Sequence, residues 1–184
     1  MIVVLTGGTG GAKFVDGLRQ IVPAKDLTII VNTGDDLEWW GLSVSPDLDS
    51  ITYVLAGLLS KERGWGVKGD TFFCLQAMGE LGEPIWFHTG DRDLAVHLLR
   101  TKLLKQGKTL TEVTADIATR MGVPGALASA TVGISAASTA WSISRTWRSP
   151  CLVGMARRSR RAGAFTIFLI RGPARAPTAL WTWQ

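Results

Sequence analysis

The first 124 residues alternate between short apolar runs and stretches of helical periodicity, with Gly, Asp or Asn at the junctions. Met1–Leu5 reads as a buried strand, Gly7–Gly11 as a loop and Ala12–Ile21 as a helix. Leu27–Val31 is a second buried strand, closed by Asn32-Thr33-Gly34-Asp35-Asp36. Ser45-Pro46-Asp47 predicts a helix start, with Ser45 as N-cap and Pro46 at the first helical position. Leu48, Ile51, Leu55 and Leu58 then recur at helical spacing. Asp70 is expected to open a helix reaching Leu81, and Pro84–Phe87 to form a short strand. Asp91 is expected to cap a helix with Leu94, Ala95, Leu98 and Leu99 on its apolar face. Thr109-Leu110-Thr111-Glu112 is a capping box for a last helix that stops near Gly122. Strands alternating with helices predict an α/β fold, a doubly wound, mostly parallel, Rossmann-like sheet.

Charge divides the chain. Residues 1–124 hold all 15 acids and 12 of the 20 bases. Residues 125–184 hold eight Arg, no Lys and no acid, so the basic pI belongs to this last third. That segment is rich in Ala, Ser, Pro and Trp and sustains neither a helix period nor capping logic. It reads as an aberrant basic tail, with three alternatives: a stretch translated out of frame, a disordered basic arm, or a subdomain. The expected division is therefore 1–124 as an α/β portion and 125–184 as the tail. Two cysteines are too few for a disulfide framework or a structural zinc site. With no leader-like or membrane-length apolar run, a cytoplasmic protein without a membrane partner is expected. The Arg157–Arg161 cluster leaves a nucleic-acid-binding module as a rival reading, but one without a recognised motif.

In an open parallel sheet, ligands gather at the carboxyl ends of the strands, and the unusual residues fall there. Gly7, Gly8, Thr9, Gly10 and Gly11, with Lys13 one turn on, suit a phosphate cradle: glycines let N–H groups approach an anion at a helix N-terminus. The loop matches neither the P-loop nor the dinucleotide fingerprint. Asn32, Asp35 and Asp36 are placed to accept ribose hydroxyls or hold a metal, or else to form an Asx turn. Asp47 and Asp49 are paired carboxylates suited to Mg²⁺ or to a substrate hydroxyl. Asp49 is expected to matter for chemistry and little for stability. Arg92, between Asp91 and Asp93, opposes the helix dipole and so points to function. His88 and His97 read as structural or surface residues. Trp39, Trp40 and Trp65 suit either ring stacking or hydrophobic cover.

Taken in order and spacing, GGTGGAK, NTGDD, SPDLDS, RGWGVKGDTF and GDRDLAVHLLR resemble the 2-phospho-L-lactate transferases of deazaflavin coenzyme F-420 biosynthesis. The resemblance spans roughly residues 1–124. It implies transfer of a phospholactyl or phosphoenolpyruvyl group from a guanosine diphosphate-linked three-carbon acid to the ribityl hydroxyl of the deazaflavin Fo. GMP leaves, Mg²⁺ is required, and the enzyme is usually a homodimer. The second Asp of SPDLD and the Arg of GDRD contact the deazaflavin in the family; they match Asp49 and Arg92. The family's later Ser-Asp-Asp-Pro run and second phosphate loop have no counterpart in residues 125–184, so this chain is expected to turn over poorly. A nucleotide-sugar-binding regulator of the gluconeogenesis-factor family, sharing the Gly-rich first loop, is the alternative.

Overall fold

The computed structural model describes residues 2–124, 131–134, 152–155 and 167–171. Strand β1 (Ile2–Thr6) leads into helix α1 (Thr9–Leu18), and β2 (Leu27–Asn32) returns parallel to β1, with Val4 beside Ile29 and Thr6 beside Val31. Three strands from after Pro124 join them: β5 (Thr131–Ile134), β6 (Leu152–Met155) and β7 (Ile167–Arg171). The five-stranded sheet runs β5-β2-β1-β7-β6, and β7 is antiparallel to its neighbours. The α/β class and the parallel pair β1–β2 follow the sequence pattern; β5, β6 and β7 come from the segment read as a tail, and the sheet as a whole is mixed. Arg157–Arg161, residues 125–130 and 135–144 and the terminal tryptophans lie outside the described residues.

Burial alternates along both central strands. Val4 and Thr6 of β1 and Leu27, Ile29 and Val31 of β2 are buried, while their neighbours are only half-buried. The buried side meets Ala12, Val15 and Leu18 of α1, Leu48, Ile51, Val54 and Leu55 of α2 (Pro46–Leu55) and Ala118 of α5 (Leu110–Arg120) in one core. Among the described residues, one face of the sheet carries this helical layer. A second cluster (Tyr53, Val67, Val96, Leu103, Val113 and Ile117) joins α2, α5 and α4 (Asp91–Lys105). No helix among the described residues is long and apolar enough to cross a membrane.

Several local expectations are corrected. Helix α1 starts at Thr9, inside the expected loop, with Gly8 at the N-cap. A hairpin that the pattern does not announce, β3 (Leu37–Trp39) and β4 (Leu42–Val44), turns through Trp40 and Gly41 at positive φ. Its turn lacks the usual Asn-Gly signature because Trp40 occupies the left-handed position. Pro84–Phe87 is not a strand: among the described residues no strand pairs with it, and aromatic packing holds it instead. Trp39 meets Trp86 edge-on at 4.8 Å and Phe87 at 6.0 Å, and Trp40 donates its indole N–H to the Pro84 carbonyl at 3.1 Å. The capping box at Thr109 and Glu112 forms as expected, and Gly122 ends α5 at positive φ.

Candidate functional site

Two carboxylates set the entrance to α4, each capping the other's expected helix. Asp91 does not cap α4; it accepts from the Phe73 and Cys74 amides at the start of α3 (Phe73–Glu80). Asp70 does not open α3; it accepts from the amides of Arg92 and Asp93 at the start of α4. The exchange satisfies orphan N–H groups of both helices and ties them together. It also explains Gly90, the N-cap of α4, since a Cβ there would overlap the Asp70 carboxyl.

Helix α4 buries a polar face. Asp93, Val96, His97, Arg100, Thr101 and Leu103 are buried, whereas Leu98 is 53% exposed, so the predicted apolar face points the wrong way. The buried side chains meet α2 and β4. Both Nη atoms of Arg100 fork onto the Asp49 carboxylate, with Nη1 to Oδ2 at 3.1 Å. The same Nη1 reaches His97 Nδ1 at 3.3 Å and the Ser43 carbonyl at 3.4 Å. Tyr53 donates its hydroxyl to Asp93, and His97 Nε2 lies 3.7 Å from Asp93 Oδ2 without a hydrogen-bond partner. Burial pushes the Asp49 carboxyl up against the pull of the Arg100 fork. It pushes Asp93 up too, but the neighbouring His97, the Tyr53 hydrogen bond and Arg100 outweigh it and the net shift is downward. Burial, reinforced by Asp49 and Asp93, holds the Tyr53 hydroxyl well above its ordinary value, so it stays a donor.

Over this network lies a pocket of about 250 Å³. Its floor includes Asp49, Asp93 and His97, and Trp65, Trp86, Phe87 and His88 line it. Arg63 stacks 5.2 Å over the Trp65 ring. The ligand atoms of Asp49, Asp93 and His97 all lie within 4.8 Å of one another, close enough to hold a metal ion. The sequence pattern marks His97 as a structural or surface residue and gives no signal for Tyr53 or Arg100 taken singly. The signal was available: Asp93, His97 and Arg100 stand at i, i+4 and i+7 on one helix face.

The other expected residues gather around the first turn of α2. Ser45 is its N-cap residue, but the hydroxyl donates to Asp36 at 2.8 Å instead of capping. Asp47 accepts from Asn32 Nδ2 at 3.1 Å, and Asn32 also forms an Asx turn with the Gly34 amide. Burial raises the Asp47 carboxyl, and the charge on Asp35 adds to it. The Asp36 side chain keeps an exposed surface, yet partial desolvation of its carboxyl lifts it to about 6. Gly8 and Gly11 have packing reasons to be glycine: a Cβ would overlap the Asp47 carboxylate at one and the Thr6 hydroxyl at the other. Thr9, Lys13 and Asp35 are exposed, and Gly7 and Gly10 are half-buried. Thus Asp47 faces the Gly-rich turn while Asp49, two residues on, faces α4. Arg92 is not among the pocket's lining residues; it is exposed, with Nη1 donating to the Lys68 carbonyl at 3.2 Å.

A family profile described as 2-phospho-L-lactate transferase CofD matches residues 2–138, past the expected limit at 124. A phosphoenolpyruvate transferase of Streptomyces coelicolor is 47% identical over 120 residues, covering 65% of this chain and 38% of the relative. A 2-phospho-L-lactate transferase of Methanocorpusculum labreanum is 46% identical over 123 residues, 67% of this chain and 40% of the relative. That of Methanosarcina acetivorans is 40% identical over 122 residues. The chain spans about two fifths of the length of these curated relatives. The matched stretch contains the Gly-rich turn, both α2 carboxylates and the whole α4 network, and on this evidence the chain belongs to the 2-phospho-L-lactate transferase family.

Proposed function

We propose that this chain contributes the acceptor side of a transferase that moves a phospholactyl or phosphoenolpyruvyl group from a guanosine diphosphate-linked donor to the ribityl hydroxyl of Fo, releasing GMP. The observation that carries the reading is the pocket itself. Aromatic walls suit a planar ring system, and a floor of fixed carboxylates suits a hydroxyl-bearing chain. Transfer of this kind rests mainly on positioning and charge neutralisation. Asp49 accepts a hydrogen bond from the acceptor chain on the pocket floor. Arg92, at the start of α4, meets the acceptor or the developing phosphate charge from outside the pocket. The turn Gly7–Gly11, with Lys13, holds the donor's diphosphate at the start of α1.

A divalent cation suits the oxygen donors around Asn32 better than the α4 network. Mg²⁺ prefers oxygen ligands and is held by one or two carboxylates. Asp36 and Asp47 are carboxyls raised by desolvation and by neighbouring carboxylates, Asp49 and Asp47 for the first and Asp35 for the second, the state a bound cation would relieve. Bound there, Mg²⁺ would neutralise phosphate charge. The complete enzyme is further proposed to be a cytoplasmic homodimer with its parallel sheet wound on both faces.

Titration of Fo into the chain, followed by deazaflavin fluorescence, tests the reading. Saturable binding at one Fo per chain is expected, weakened about tenfold by Trp86→Ala, a loss typical of one stacked ring. Absence of saturable Fo binding, or preferential binding of a uridine diphosphosugar, would overturn it.

A further inference from the structure

The α4 network holds a cation of its own. The spacing of Asp49, Asp93 and His97 alone describes a mixed carboxylate–imidazole metal site. Yet Arg100 Nη1 stands within hydrogen-bond distance of both Asp49 Oδ2 and His97 Nδ1, atoms that are themselves 3.6 Å apart. An ion bridging those two atoms from that side would need the guanidinium's place. Both carboxylate oxygens of Asp49 already face Arg100, and the side chains involved are almost fully buried. Arginine does not lose its proton in proteins, so this charge stays, and a second cation beside it would be repelled in a low-dielectric setting. Because Nδ1 of His97 faces an N–H donor, its proton belongs on Nε2, on the Asp93 side.

We infer that Arg100 is a built-in cation that takes the metal's place in this cluster and acts as a positioning residue, fixing Asp49 as a hydrogen-bond acceptor on the pocket floor. Any metal the protein uses then binds elsewhere, by oxygen ligands. The inference rests on the proposed function only for what Asp49 accepts from; the replacement of metal by guanidinium stands on the distances.

Cobalt titration of the full chain tests it. The wild type is expected to show no His97-dependent visible absorption with Co²⁺. Arg100→Ala is expected to take up one Co²⁺ with such absorption, and His97→Ala in that background to abolish it. Co²⁺, or millimolar guanidinium, is expected to raise the thermal midpoint of Arg100→Ala by several degrees and leave the wild type unchanged. Arg100→Lys, which keeps a cation, is expected to fold and exclude Co²⁺. If Arg100→Ala folds only with an added cation, that too supports the inference. His97-dependent Co²⁺ binding by the wild type, or an Arg100→Ala chain that neither binds Co²⁺ nor is rescued by either cation, would overturn it. Fo titration is read separately: Arg100→Ala should lose at least about tenfold in affinity and Arg100→Lys should recover part of it. Failure of the wild type to bind Fo would count against the proposed acceptor and leave the cobalt result to decide the role of Arg100.

Discussion

Asp49→Asn keeps the shape of the side chain and removes its charge, which leaves Arg100 buried without its counter-ion. The Asp49 side chain is 6% exposed and that of Arg100 2%, and the guanidinium holds both carboxylate oxygens. Breaking a buried ion pair by removing one partner costs about 3–5 kcal/mol. For a chain of this size that corresponds to a fall in thermal midpoint of about 6–20 °C. This reverses the expectation that Asp49 matters little for stability, which came from reading α2 alone, without the partner from α4. Differential scanning calorimetry of the wild type, Asp49→Asn, Arg100→Met and the double variant separates the effects. The double variant should lose clearly less than the two single losses combined, because neither charge is then stranded. A midpoint for Asp49→Asn within about 2 °C of the wild type would refute the reasoning, since a stranded buried charge cannot be so cheap.

Asp91→Asn tests the exchanged helix caps through pH. The Thr71 hydroxyl and the Cys74 and Phe73 amides hold the Asp91 carboxyl below 3.8, so the folded chain binds this proton less tightly than the unfolded one. Its stabilisation is therefore present above pH 3.8 and is lost as pH falls through the lower folded value. The variant should melt below the wild type at pH 7, and the gap should close as pH falls below 3.8; a gap independent of pH would refute the assignment. Gly8→Ala should cost about 1–3 kcal/mol, because its Cβ would displace the Asp47 carboxylate. Urea titration reads the loss, and an unchanged midpoint would show that the turn tolerates a side chain.

The parallel pair β1–β2 and helices α1 and α2 are legible because local periodicity decides them, and α5 because its capping box is local; Ser45 marks the start of α2 without capping it. The α3–α4 junction was half legible. Asp70 and Asp91 were recognised as capping residues, but a carboxylate's nearest helix start in sequence is not its nearest in space. The misread face of α4 has a different cause. Leu94, Leu98 and Leu99 outweigh Val96 in hydrophobicity, but the buried ion pair and the Tyr53–Asp93 hydrogen bond reward burial of the opposite, polar face. Pattern reading assigns polar residues to solvent, so it misses a polar core whose partners come from distant segments. The carboxylates at the start of α2 were visible as a pair, but their division between the Gly-rich turn and α4 needed the fold.

The most direct measurement of the acceptor-side assignment is a crystal structure of the chain grown with Fo. The tricyclic ring is expected between Trp65 and Trp86, with a ribityl hydroxyl within hydrogen-bond distance of an Asp49 oxygen still forked by Arg100. Fo bound at the Gly-rich turn or on another surface, with this pocket vacant, would contradict it.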